Sequence, residues 1–127
     1  MPEPPRILLV EDEPALRELM KVALGAGYDF VEAGDLDEAL ELVRSHVPTV
    51  VLLDVMLPGG SGLDVLRAVR AEPELAAVRV IVVSAWQSGD DRRVAQELGA
   101  DGFLGKPFEL EELSAAVREL TRTDRES

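Results

Sequence analysis

The stretch Val50-Val51-Leu52-Leu53-Asp54-Val55-Met56-Leu57-Pro58 decides the fold. Four apolar residues run without a break into an acid, and the chain then turns at Pro58-Gly59-Gly60. A continuous apolar run, rather than an alternating one, reads as a strand buried on both faces, as in a parallel sheet covered by helices. A carboxylate at the carboxyl end of such a strand lies where open α/β sheets place their chemistry.

Working outward, the same unit recurs on both sides. Residues 6–10 form an apolar strand that ends in Glu11-Asp12-Glu13, and Pro14 suits the first turn of a helix. Leu16, Leu19, Met20, Ala23 and Leu24 make its inward face, and Gly25 and Gly27 stop it. Phe30-Val31 is a short second strand. Asp35 and Glu38 have capping-box spacing before a helix with Leu36, Ala39, Leu40 and Val43 inward, ending near His46 ahead of Pro48. Beyond the glycine turn a third helix carries Leu63, Leu66 and Val69 inward until Glu72-Pro73. Residues 80–83 form a strand ending at Ser84, and the following helix, with Val94, Ala95 and Leu98, stops at Gly99. Residues 102–104 read as a short fifth strand with Lys106-Pro107 as its exit. Leu110, Leu113, Ala116, Val117 and Leu120 are the buried face of a last helix, and residues 121–127 a frayed polar tail. Strands alternating with helices imply βαβ units, right-handed crossovers and a three-layer α/β sandwich. The pattern leaves the strand order open.

Length and charge narrow the possibilities. The 127 residues, 46% apolar, suit a single domain over 1–127 with its core at about 6–120. A net charge of −12 argues against direct nucleic-acid binding and against an anionic membrane surface. No cysteine is present, which excludes disulfides, thiolate metal sites and thiol catalysis. With no apolar signal core and no membrane-length apolar run, a cytoplasmic protein is expected. His46, the lone histidine, has no catalytic partner in sequence and reads as structural. Gly59-Gly60 is too short for a nucleotide-binding loop.

In a parallel sheet every strand delivers its carboxyl end to one edge, so Glu11, Asp12, Asp54, Ser84 and Lys106 converge there from four loops. Crowded carboxylates repel, raise one another's pKa or recruit a cation. Oxygen donors without His or Cys favour Mg²⁺, or Mn²⁺ in its place. Lys106 and Ser84 would neutralise and hydrogen-bond the oxygens of a phosphoryl group, and Asp54 is a candidate nucleophile that would form an aspartyl phosphate. Singly, each residue has a plainer use: Asp54 as a turn cap, residues 11–13 as a solvated helix start, Ser84 as a loop hydroxyl. Their joint placement at four strand ends is what points to a site.

On these residues the sequence resembles the receiver domain of two-component response regulators, of the chemotaxis-receiver kind, over about residues 6–120. The family's acidic pair corresponds to Glu11 and Asp12, its phospho-acceptor to Asp54, its switch hydroxyl to Ser84, and its lysine before a cis-proline to Lys106 and Pro107. Pro58, Gly62 and Gly99-Ala100-Asp101 also fall at the family's spacing. The resemblance implies a flavodoxin-like (βα)5 fold with strand order 2-1-3-4-5. It implies Mg²⁺ held by Asp12, Asp54 and the backbone carbonyl of Met56, with Glu11 acting through water. A sensor histidine kinase or a histidine phosphotransfer protein would phosphorylate Asp54, and the domain would have weak self-phosphorylation and self-dephosphorylation activity. Ser84 would then move to the phosphoryl group and Phe103 would turn inward, changing the face of helix four, strand five and helix five. That face would control a partner protein or an effector domain outside the chain, and could mediate a phosphorylation-linked dimer. Met56 and Trp86 would shield the acyl phosphate from hydrolytic water.

Two positions depart from the family's commoner residues: Glu11 lengthens an aspartate by one methylene, and Phe103 lacks a tyrosine hydroxyl. Two other readings fit the residues less well. A haloacid-dehalogenase-type phosphatase wants a second acid two residues after its nucleophile, where this chain has Met56. A pseudo-receiver adaptor lacks the acidic pair, acceptor or lysine, and all of these are present.

Overall fold

The computed structural model of the chain describes residues 3–85 and 89–126, so Trp86 lies outside the described residues. In chain order the elements are β1 (Arg6–Val10), α1 (Pro14–Leu24), β2 (Asp29–Ala33), α2 (Leu36–His46), β3 (Val50–Asp54), β4 (Met56–Leu57), β5 (Gly60–Ser61), α3 (Leu63–Ala71), a 3₁₀ turn (Pro73–Leu75), β6 (Arg79–Ser84), α4 (Gly89–Glu97), β7 (Gly102–Gly105) and α5 (Leu110–Glu126).

The opening stretch is the middle of the sheet. All five residues of β3 are buried, and β3 pairs in parallel with β1 on one side and β6 on the other, Leu52 standing between Leu9 and Ile81. With β2 and β7 at the edges, the order is β2-β1-β3-β6-β7. Counting only these five strands, that is the flavodoxin-like order 2-1-3-4-5. The extra strands β4 and β5 form a two-residue antiparallel hairpin that the sequence did not announce, because Met56-Leu57 and Gly60-Ser61 are too short to show a period.

Alternate residues of each central strand feed two cores. Ile7, Leu9, Leu52, Ile81 and Val83 pack with Met20 and Leu24 of α1 and Leu113 and Val117 of α5. Leu8, Val10, Val51, Leu53, Val80 and Val82 pack on the other face with Ala39 and Val43 of α2, Val65, Leu66 and Val69 of α3, and Ala95 of α4. Each Val, Leu, Ile or Met among them, taken fully out of water, contributes about 1.5–3 kcal/mol, so the central strands anchor both layers.

Local signals explain the helix ends. Asp35 accepts the Glu38 N–H at 2.8 Å, while the Glu38 carboxylate reaches back to the N–H of Gly34 at 2.7 Å, one residue beyond the expected reciprocal contact. Gly25, at φ 75, follows α1. Val47 closes α2 in the left-handed region, φ 43, and the buried Pro48 excludes another turn.

Three expectations need correction. Leu19 is 44% exposed rather than inward, because Met20 and Leu24 occupy the sheet-facing stripe and leave Leu19 one helical step around. Leu110 is 39% exposed, as the first residue of α5. The polar segment after Leu120 is no frayed tail: α5 continues through Glu126, and Thr121, 4% exposed, donates its hydroxyl to the Val117 carbonyl at 3.0 Å. Polar composition did not end that helix, since no Gly or Pro interrupts it.

Gly62 closes the loop that follows Asp54. Its N–H donates to the Val55 carbonyl at 2.7 Å, and a Cβ on Gly62 would lie 2.0 Å from the Asp54 carbonyl oxygen. That neighbour is backbone in the central strand and cannot yield without moving Asp54. Gly62→Ala is therefore expected to cost about 2–4 kcal/mol in denaturant unfolding. Gly34→Ala, whose Cβ would meet Arg17 at an ordinary 3.5 Å, should cost less than about 1 kcal/mol. Equal midpoints for the two variants would contradict this account of the loop.

Candidate functional site

Each polar residue at the carboxyl edge is held by its own strand. The ladder places Asp54 opposite Val83, and the next residue, Val55, donates to the Val83 carbonyl at 3.2 Å. The Lys106 N–H donates to the Ser84 carbonyl at 2.7 Å, so Asp54 and Lys106 are both measured from the end of β6. Glu11 continues β1 by one residue, donating its N–H to Ala33 at 3.0 Å. Lys106 precedes Pro107 through a cis peptide bond, as the resemblance implied.

Those anchors bring four side chains together. Lys106 Nζ donates to Glu11 Oε1 at 2.8 Å and to Asp54 Oδ2 at 2.9 Å. The other oxygen of Asp54 accepts the Met56 N–H at 3.1 Å, and the other oxygen of Glu11 accepts the Glu13 N–H at 3.1 Å. Asp12 is exposed beside them, and one carboxylate oxygen from each of Glu11, Asp12 and Asp54 lies within 4.8 Å of the others.

Electrostatics follow from burial. The Glu11 and Asp54 side chains are only 1% and 6% exposed. Burial pushes the Glu11 carboxyl up from 4.5 to about 7, against the pull of the Lys106 and Glu13 hydrogen bonds, and the nearby Asp54 charge adds to the rise. Burial also works against the Lys106 ammonium, but its hydrogen bonds to Glu11 and Asp54 overcome this and hold it above its ordinary value. Two buried acids and one half-buried cation leave the cluster short of positive charge.

The donor set fits a hard cation. Three carboxylates offer oxygen alone, and Asp12 faces solvent, from which a hydrated ion would arrive. The remaining expected residues are less closely joined. Ser84 is fully buried at the end of β6, and Met56 is 57% exposed at the rim. Phe103 is half-buried against the α2–α4 core, with the Arg92 guanidinium 5.3 Å over its ring. An open groove of about 1190 Å³ lies elsewhere, around Pro5, Arg6, His46 and Val47, and is braced by an Arg6–Asp29 ion pair. Arg17, which the sequence reading passed over, donates Nη1 to the backbone carbonyl of Glu11. Its signal was its place six residues after Glu11 on α1, which spacing alone does not separate from a surface arginine.

Known proteins resemble this chain in sequence and fold. The chain is 42% identical over 114 residues to the DNA-binding response regulator MtrA of Mycolicibacterium smegmatis, covering 89% of this chain and 49% of that protein. The chain thus spans about half the length of the curated relatives it matches. The solved receiver domain of Francisella response regulator 1452 superposes with a TM-score of 0.86 at 28% identity, covering 94% of this chain and 98% of that one. A two-component response regulator of the LuxR family from Aurantimonas sp. SI85-9A1 gives 0.84 at 32% identity, covering 94% and 86%. The family described as the response regulator receiver domain matches residues 7–118, from β1 into α5, and the chain belongs to that family.

Proposed function

We propose that Asp54 accepts a phosphoryl group from a sensor histidine kinase or a histidine phosphotransfer protein, in a reaction that needs Mg²⁺, and that the domain acts as a switch for a partner protein or a further part of a longer regulator. The observation that carries this reading is the Lys106 ammonium shared by Glu11 and Asp54 beside the exposed Asp12.

In the transfer, an Asp54 carboxylate oxygen attacks phosphorus, the P–N bond of the donor phosphohistidine breaks, and its electron pair returns to the imidazole. Asp12, Asp54 and the Met56 carbonyl would hold the cation, whose charge offsets that of the phosphoryl oxygens. Glu11, with one oxygen on Lys106 and the other on the Glu13 N–H, would act on it through water. Lys106 supplies fixed positive charge and Ser84 a hydroxyl to the phosphoryl oxygens. Met56, 57% exposed, would stand at the entrance for hydrolytic water, and weak self-dephosphorylation, like self-phosphorylation from small donors, would belong to the same site.

Phosphorylation adds nearly two negative charges at Asp54. Ser84 and Phe103 are the residues through which that charge would reach the face of α4, β7 and α5, which would also be the surface of a phosphorylation-linked dimer. One domain spanning the chain and a cytoplasmic setting fit this role. Among the described residues no helix is long and apolar enough to cross a membrane, and the charge of −12 argues against direct nucleic-acid binding by this domain.

Incubation with acetyl phosphate and Mg²⁺ should add one phosphoryl group by intact mass, and Asp54→Asn should abolish the adduct. Steady turnover of many phosphate esters without an adduct would instead support a phosphatase. Millimolar Mg²⁺ should raise the melting midpoint near pH 7.5, and Asp12→Ala should remove that gain at little cost to metal-free stability. Because the folded-state pKa of Glu11 is raised from 4.5 to about 7, the folded chain holds the extra proton between those values. Stability from this group is full below pH 4.5 and is lost, by up to about 3 kcal/mol, as the pH rises through 7. The metal-free wild type should therefore lose stability relative to Glu11→Gln between pH 5 and 7.5, and parallel pH curves would contradict the buried acid.

A further inference from the structure

Arg17 takes no part in the chemistry above, yet it touches the acidic loop. The ladder between β1 and β2 ends where the Glu11 N–H meets the Ala33 carbonyl, and β2 goes no further. The Glu11 carbonyl, on the far side of that residue, accepts from Arg17 Nη1. Nε of the same guanidinium donates to Glu32 Oε1 at 2.9 Å, and Lys21 Nζ takes the other oxygen of Glu32 at 3.0 Å. The Arg17 side chain is 18% exposed. Gly34 leaves room beside it, since even a Cβ there would stand 3.5 Å from Nη1.

The guanidinium therefore ties the Glu11–Asp12 peptide to the end of β2. That peptide joins two of the three carboxylates in the cluster, and its orientation is coupled to ψ of Glu11 and φ of Asp12, on which the directions of the two Cα–Cβ bonds depend. Turning it would draw Glu11 off Lys106 and move Asp12 relative to Asp54. Attraction between Arg17 and the cluster is a weaker explanation, because Glu32 already matches its charge: Lys21 first, then Arg17, hold the Glu32 carboxyl below its ordinary range against the effect of burial. What remains is direction. A planar fork serves two acceptors at fixed angles, which an ammonium does not do.

We infer that Arg17 is a positioning residue that sets the Glu11–Asp12 peptide for cation binding through hydrogen-bond geometry rather than through its charge. The inference rests on the metal site proposed above. It is tested by calorimetric titration of Mg²⁺ into the metal-free wild type, Arg17→Lys and Arg17→Gln, with circular dichroism and melting recorded for each. The dissociation constant should weaken about tenfold in both variants, as it does when supports behind metal ligands are removed, with the lysine giving no rescue. A lowered melting midpoint with an unchanged dissociation constant would reduce Arg17 to a fold brace and overturn the inference, and so would wild-type affinity in Arg17→Lys. Should the Arg17 variants fail to fold, Glu32→Ala removes the acceptor that anchors the guanidinium to β2 while keeping Arg17. It should shift the affinity in the same direction, and an unchanged constant overturns the inference. A wild type that binds Mg²⁺ but forms no Asp54 adduct refutes phosphoryl acceptance while the Arg17 inference is still decided by the titration. A wild type that binds no Mg²⁺ overturns both.

Discussion

The Lys106 ammonium, 2.8 Å from Glu11 and 2.9 Å from Asp54, is the contact on which the rest of the edge depends. Two carboxylates almost out of water cannot both stay ionised without a partner, and removing one member of such a cluster leaves an uncompensated buried charge. The backbone is arranged to hold that contact. Ser84 of β6 carries the Lys106 amide, Val83 of β6 faces Asp54, and Ala33 of β2 carries the Glu11 amide. The spacing of the cluster is thus the spacing of a parallel sheet, set by ladders whose strands are buried on both faces. Gly62 serves the same end, since a larger residue would press on the carbonyl of Asp54 itself.

That arrangement leaves the site poised rather than saturated. One ammonium serves two acids, Glu11 is displaced toward its neutral form, and Asp12 waits in solvent. Added positive charge is welcome, and a phosphoryl group that arrives with it can share Lys106 with Glu11. The Lys106 amide is bonded to the end of β6, and Ser84 and β7 adjoin it. A local charge event can then bias two arrangements of a packed surface, which is the physical content of a switch in this family.

The fold was legible where the chain is monotonous. Residues 50–53 and 80–83 are unbroken apolar runs, and their shortness, their Val and Ile content and the turn residues beside them favour strands buried on both faces. Strand order came only with the resemblance, because pairing partners leave no trace in local pattern. The acids, Ser84 and Lys106 were legible through a topological rule about strand ends. Arg17 was not, because its role depends on β2 stopping at Ala33, a tertiary fact. The hairpin of Met56-Leu57 with Gly60-Ser61 was hidden by its brevity, and the helical course past Leu120 by its polar composition. Leu19 shows the limit of a helical stripe, whose edge residues are assigned by the neighbour and not by the period.

The central claim is that, among three clustered acids, Asp54 is the one that takes the phosphoryl group. Borohydride reduces an acyl phosphate to the alcohol, so reduction after phosphorylation, followed by peptide mass mapping, reports which carboxylate was modified. The account predicts homoserine at position 54 and nowhere else. Reduction at Glu11 or Asp12, or at no carboxylate in a protein that had gained a phosphoryl group, would contradict it.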